Sequence, residues 1–138
     1  MKYKLITLLA LLSIAGCELP DSATGSMQAD SFNPVVTLMN KNGTIEIFEY
    51  LQLYFNKNRG VFVITTPNGD TVKPIDSFNS FTTSETNQKI NINILGTGDT
   101  IIQYQSLYYN DRNILTINGY SNSLYYGIDY FNNFTTSQ

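Results

Sequence analysis

From Pro34 onward the chain is cut repeatedly by chain-reversing clusters: NKNG (40–43), NKNRG (56–60), PNGD (67–70), GTGD (96–99) and NGYSN (118–122). Gly and Asn adopt positive φ at little cost, so each cluster is a place for a tight turn. The segments between them alternate apolar and polar residues or run apolar for a few positions, and none carries the period of an ordinary helix. The pattern predicts strands at 35–39, 44–48, 50–55, 61–66, 71–75, 89–95, 100–108, 113–118 and 123–131. An all-β domain built as a meander of antiparallel hairpins follows.

Individual segments refine this. In KININIL (89–95), Ile90, Ile92 and Ile94 share one face while Asn91 and Asn93 share the other, so the strand is half buried. VFVITT (61–66) opens with consecutive apolar residues, which suits a central strand covered on both sides or an intersheet position. TVKPI (71–75) contains Pro74, which donates no ladder hydrogen bond, and belongs at a sheet edge or ends early. The polar stretch DSFNSFTTSETNQ (76–88) reads as a long loop or a poor strand around Phe78 and Phe81. NGTI, NGDTV and GTGDTI share a turn followed by Thr and a β-branched residue. Their glycines are unevenly spaced, and the likeness reads as recurring hairpin chemistry, not a solenoid.

The rhythm from YLQLYF (50–55) through NGDTV to NILTIN (113–118) resembles the lipocalin-like barrels carried by many bacterial lipoproteins. That resemblance implies an antiparallel meander closed into a small barrel. The Gly-x-Trp that marks lipocalins is missing, since the chain has no Trp, and its length is short for a barrel with a roomy cavity. A two-sheet β-sandwich is the alternative.

At the N-terminus, Lys2 and Lys4 precede an apolar segment, Leu5 to Ile14, broken only by Thr7 and Ser13. A spanning helix needs roughly 20 residues, so this segment has instead the length of a secretory h-region. The four residues that follow, Ile14, Ala15, Gly16 and Cys17, resemble the lipobox of bacterial lipoproteins. The resemblance implies cleavage before Cys17 and a diacylglyceryl group on its sulfur. Cys17 is the only cysteine, and an unpaired thiol in an oxidising compartment is otherwise a liability. Several buried acyl chains, at about 0.8 kcal/mol per CH₂, make such an anchor effectively permanent.

The expected organisation is therefore a signal peptide at 1–16, lipidated Cys17 with a flexible tether to residue 33, and one β-domain at 34–138. Glu18, where Asp would signal inner-membrane retention in enterobacteria, points to the outer membrane, on either its periplasmic or its surface face. After processing, four Lys and two Arg stand against eleven Asp and Glu, a formal charge of −5. The membrane is reached through the lipid anchor, and nucleic acid is a poor partner for such a surface.

For chemistry the chain offers little. It has no His, its one Cys is assigned to the anchor, and it contains no Gly-x-Ser-x-Gly, metal-ligand cluster or phosphate-cradling loop. Asp70, Asp99 and Asp111 fall in predicted turns, where Asp is common for local hydrogen bonding, and the EF-hand spacing is absent. A protein without catalytic residues, cofactor or metal is expected. The triplets DSA (21–23), DTV (70–72) and DTI (99–101) resemble the O-glycosylation acceptor of Bacteroidetes, which implies modification of Ser22 in the tether; hairpin chemistry accounts for the other two.

Tyrosine stands out. Ten Tyr and eight Phe are present, concentrated toward the C-terminus, and in SLYYGIDYF alternation places Leu124, Tyr126, Ile128 and Tyr130 on one face against Tyr125, Gly127, Asp129 and Phe131 on the other. Tyr on both faces leaves some rings exposed. They read either as plain strand residues that stabilise cross-strand pairs or as a platform for a ligand, since an aromatic face stacks on sugars and the hydroxyl adds a polar tip. The candidate ligand residues are Tyr108, Tyr109, Tyr125, Tyr126 and Tyr130. The expected function is a non-catalytic binding module for a glycan or an envelope protein. The alternatives are a structural envelope component joined by its sheet edges and a carrier of a small apolar ligand in a barrel cavity.

Overall fold

The strong two-residue alternation of the apolar side chains leaves each strand one face to bury, and twelve strands among the described residues bury it in common. The computed structural model describes residues 32–138, of which Asn33–Gln138 form one compact unit. The strands are β1 (Val35–Asn40), β2 (Ile45–Glu49), β3 (Gln52–Asn56), β4 (Val61–Thr66), β5 (Gly69–Pro74), β6 (Phe78–Thr83), β7 (Gln88–Ile94), β8 (Gly98–Tyr104), β9 (Ser106–Tyr109), β10 (Ile114–Asn118), β11 (Ser123–Gly127) and β12 (Phe131–Ser137). Single 3₁₀ turns at Ile75–Ser77 and Ile128–Tyr130 lead into β6 and β12.

These strands form two antiparallel six-stranded sheets, ordered β2-β1-β6-β9-β10-β11 and β8-β7-β12-β3-β4-β5. They do not close into a barrel, so the lipocalin-like expectation gives way to the two-sheet sandwich. Nor is the path a simple meander, because β6 and β12 return to the middle of their sheets. The reason lies in the stretches expected to be loop or continuous strand. Phe78 and Phe81 are buried, which makes Phe78–Thr83 a central strand. The segment 100–108 breaks between Tyr104 and Ser106, and its two parts join different sheets. The 3₁₀ turn at Ile128–Tyr130 resets the alternation of SLYYGIDYF, so that Phe131 enters the core while Tyr130 is exposed, the reverse of the simple pattern. VFVITT is one strand in from an edge, with Phe62 and Ile64 buried and Val61 and Val63 only half buried, so it is covered on one face. Pro74 does end an edge strand.

The connectivity repeats. β1 to β6 and β7 to β12 follow one plan: a hairpin, a three-stranded meander, a 3₁₀ turn and a returning strand. Each half gives its hairpin and returning strand to one sheet and its meander to the other, so exchanging the halves maps one sheet onto the other. The sequence carries the same duplication, in LYFN (53–56) with LYYN (107–110) and in IDSFNSFTTS (75–84) with IDYFNNFTTS (128–137), which agree at eight of ten positions. Fine details recur as well. Lys41 N–H donates to the Ser77 carbonyl as Leu95 N–H does to that of Tyr130. A register shift at Met39/Asn40 is repeated at Phe131/Asn133, where Asn40 opposite Phe78 corresponds to Ile94 opposite Phe131. Gly60, at φ 67°, has Asn113 as its counterpart, a non-glycine residue held at φ 62°. Asn is among the few residues that tolerate this conformation.

Between the sheets lies an aromatic core. Phe62 of one sheet stacks on Phe81 of the other at 4.5 Å between ring centroids, and Phe55 faces Tyr109 at 5.3 Å. The duplication shows here too, since Phe55 stacks on Phe134 at 5.3 Å as Tyr109 stacks on Phe81 at 5.5 Å. Each such ring contributes roughly 1.5–3 kcal/mol by burial.

A polar island interrupts this core. Tyr50 and Tyr104, counterparts in the two halves, are fully buried with their hydroxyls 3.3 Å apart, and Tyr104 donates to Gln88 Oε1 at 2.8 Å. Tyr50 is therefore the donor to Tyr104. Thr136 Oγ1 accepts from the Leu53 N–H at 2.8 Å, and Thr83 Oγ1 accepts from the Leu107 N–H at 2.9 Å. Burial holds the Tyr50 and Tyr104 phenols above the ordinary tyrosine range, and it pushes Tyr109 up to about 12. These groups stay protonated in the folded protein at pH values where the unfolded chain has begun to ionise. Their contribution is fully present below pH ~10 and is lost as pH rises through their folded-state values. In an alkaline titration followed by phenolate absorbance, Tyr50, Tyr104 and Tyr109 should ionise only together with loss of β circular dichroism.

Candidate functional site

The C-terminal tyrosines divide by the strand that carries each. Tyr109 occupies an inward position of β9 and is buried among Phe55, Phe78 and Phe81, with its hydroxyl donating to Asn113 Oδ1 at 3.0 Å. It is a core residue and leaves the candidate ligand surface. Tyr108, its neighbour, points outward and is 44% exposed. Cross-strand register places it in one row with Thr116 and Tyr125.

Tyr125, Tyr126 and Tyr130 come together. β11 is the last strand of its sheet, so residues of both its faces border the flank of the sandwich. The 3₁₀ turn after it brings Tyr130 back over the strand end. With Ile94 and Leu95, from the β7–β8 turn of the other sheet, these tyrosines line an open cleft of ≈ 350 Å³ without a charged side chain. Tyr125 and Tyr130 are each 68% exposed. A Cβ at Gly127 would sit 3.3 Å from the Tyr130 Cδ2, so glycine there gives the Tyr130 ring room beside the strand end. Reading the sequence alone missed Ile94 and Leu95, which were placed in a strand and not in a ligand site. The signal in the sequence is Leu95, an apolar residue on the polar Asn91 and Asn93 face of KININIL and exposed in the fold.

The corresponding place in the other half is also a cleft, of ≈ 760 Å³, but its lining is polar, with Asn40, Lys41, Thr44, Glu46, Lys73 and Ser77 among its residues. Val72 and Lys73 stand where the second half has Tyr125 and Tyr126, and Pro74 stands for Gly127. Glu46 of β2 and Lys73 of β5 form an ion pair across the two sheets, and Asn40 Nδ2 donates to the same Glu46 oxygen at 3.0 Å. The hydrogen bonds from Lys73 and Asn40 hold the Glu46 carboxyl below the usual carboxylate range. One flank of the sandwich is thus closed by charge, while the other is open and aromatic.

Other residues singled out in the sequence have local roles. Asp99 accepts from Asn93 Nδ2 at 2.8 Å on the outer face of β7 and β8, and Asp70 pairs in register with Thr65. Cys17, Ser22 and the tether to residue 31 lie outside the described residues. No family model, curated protein or solved structure matches the chain.

Proposed function

We propose that the chain is an outer-membrane lipoprotein, held by acyl groups on Cys17, whose β-domain is a non-catalytic module that binds an uncharged glycan in the Tyr125, Tyr126 and Tyr130 cleft. The observation that carries this reading is the convergence of three tyrosines, with Ile94 and Leu95, on one uncharged cleft. A pyranose ring presents a C–H face that packs on an aromatic ring, and phenolic hydroxyls at the ring edge meet its hydroxyl groups. The position favours access, because the cleft lies on an open flank of the sandwich. The carrier alternative needs an interior cavity, whereas the space between the sheets is occupied by the stacked rings of Phe55, Phe62, Phe81, Tyr109 and Phe134.

The test is a titration of the purified mature chain with neutral cello-, xylo- and malto-oligosaccharides, followed by intrinsic tyrosine fluorescence. At least one series should bind. The double substitution Tyr125→Ala, Tyr126→Ala should then weaken binding about tenfold or more, as expected for two lost stacking contacts. Unchanged affinity in that variant would remove the cleft as the site. The Cys17→Ser protein should appear in the soluble fraction with its glycan binding intact.

A further inference from the structure

We infer that two copies of the chain pair through β11, antiparallel and centred on Tyr125, joining two sheets edge to edge. The inference starts from the four strands that end the two sheets among the described residues, β2, β5, β8 and β11. A free edge offers unpaired N–H and C=O groups, and natural proteins blunt it with charge, proline or a bulge. β2 carries Glu46 and Glu49, β5 carries Asp70, Lys73 and Pro74, and β8 carries Asp99. β11, with the sequence SLYYG, carries no charge and no proline.

The duplication supplies an internal control, because β5 and β11 are the same strand in the two halves. Beyond β11, the Ile128 N–H donates to the Asn113 carbonyl at 2.8 Å, and before it the Gly119 N–H donates to the Asn122 carbonyl at 2.8 Å. Antiparallel alternation between these fixed points turns the backbone groups of Leu124 and Tyr126 toward β10. Those of Ser123, Tyr125 and Gly127 are directed to the open side. In β5 the same count, anchored on the Ile75 N–H to Gly60 carbonyl bond, directs Asp70, Val72 and Pro74 outward. Where β5 has a proline with no N–H to offer, β11 has a glycine with one. One edge is closed and its twin is open.

The open edge is self-complementary. An antiparallel pair centred on Tyr125 sets this residue against its own copy and each Ser123 against the partner's Gly127, so all three outward-directed residues exchange hydrogen bonds. On the opposite face, Leu124 of each copy meets Tyr126 of the other. No charge is placed opposite a like charge within the strand. The pairing brings the two tyrosine clefts to one seam. It uses the main chain of β11 and is read without any glycan, so it stands or falls independently of the proposed binding.

The Tyr125→Cys chain, with Cys17 acylated or replaced by Ser, should form an intermolecular disulfide on mild oxidation. A hydrogen-bonded antiparallel pair places the two Cα atoms about 5.5 Å apart, within disulfide range. Ser123→Cys should not, because its own copy lies roughly 14 Å away along the strand. Equal cross-linking of the two variants, or none in either, would overturn the register and with it the proposal. In light scattering of the detergent-solubilised mature chain, the parent should be dimeric at concentrations near 100 µM. Gly127→Pro should raise its dissociation constant at least about tenfold, the hydrogen bond donated by the residue-127 N–H being lost on each side. Gly127 already has φ −64° and ψ 151°, beside −61° and 138° at Pro74, so its backbone accepts proline; the added Cβ, 3.3 Å from the Tyr130 Cδ2, asks that exposed ring to shift by a few tenths of an ångström, and the β circular dichroism should be kept. A monomeric parent, or a Gly127→Pro dimer of undiminished affinity, would refute the pairing.

Discussion

Replacing Phe55 by Ala is expected to lower the unfolding free energy by about 3–5 kcal/mol, the range for removing a fully buried phenyl ring. Phe55 is the hub of the core: its ring contacts Phe62, Tyr109, Phe131 and Phe134, and so joins both sheets and both halves of the duplication. The loss has two parts, the burial of the ring itself and the cavity left between rings too stiff to collapse into it. Against a total stability of roughly 5–15 kcal/mol this is a large fraction. Urea denaturation of the two proteins checks it. A cost of about 1 kcal/mol or less would mean that the neighbouring rings close the gap, and that packing between the sheets is looser than their stacking suggests.

Thr136→Val and Thr83→Val are expected to cost about 1–3 kcal/mol each, although valine matches threonine closely in shape. Each hydroxyl accepts a backbone N–H, from Leu53 or from Leu107, at the point where one half of the chain meets the other. Replacing the hydroxyl by a methyl group leaves a buried donor without a partner. Because the two threonines hold counterpart positions, their costs should be similar. A pair of unequal values in the same denaturation assay would show that the two halves have diverged in their interiors as well as in their clefts.

Much of the strand content was legible because an isolated period of two is a local property. Ile90 and Ile92 are buried and Asn91 is exposed, as alternation requires. Pro74 lies at an edge for the reason its missing donor gives. What local reading could not supply was which strand lies beside which. The turn clusters suggested a meander, but β6 and β12 are placed by rings at 78, 81, 131 and 134 that find partners far along the chain. The duplication was legible in principle. It lies not in the Gly-Thr turns, whose spacing is uneven, but in IDSFNSFTTS and IDYFNNFTTS, where the repeat is nearly literal.

For the site, a tyrosine-rich C-terminus was visible, but the assignment of individual rings was not. Tyr108 and Tyr109 differ by one position, and that single step separates solvent from core. Tyr130 lies outside because three residues of 3₁₀ turn intervene, a shift that no strand period anticipates. Ile94 and Leu95 come from the other sheet, and only the folded chain brings them to β11.

The interleaved connectivity also governs the order in which the molecule can assemble. β12, the last of the described strands in chain order, is inserted between β3 and β7 in the centre of its sheet. Until Phe131–Ser137 has emerged, β3 and β7 have no common neighbour, and the first half is left as two fragments awaiting the second. Pairings between strands so distant in sequence make folding slow, and the sheet that holds β3 and β7 closes only when β12 docks.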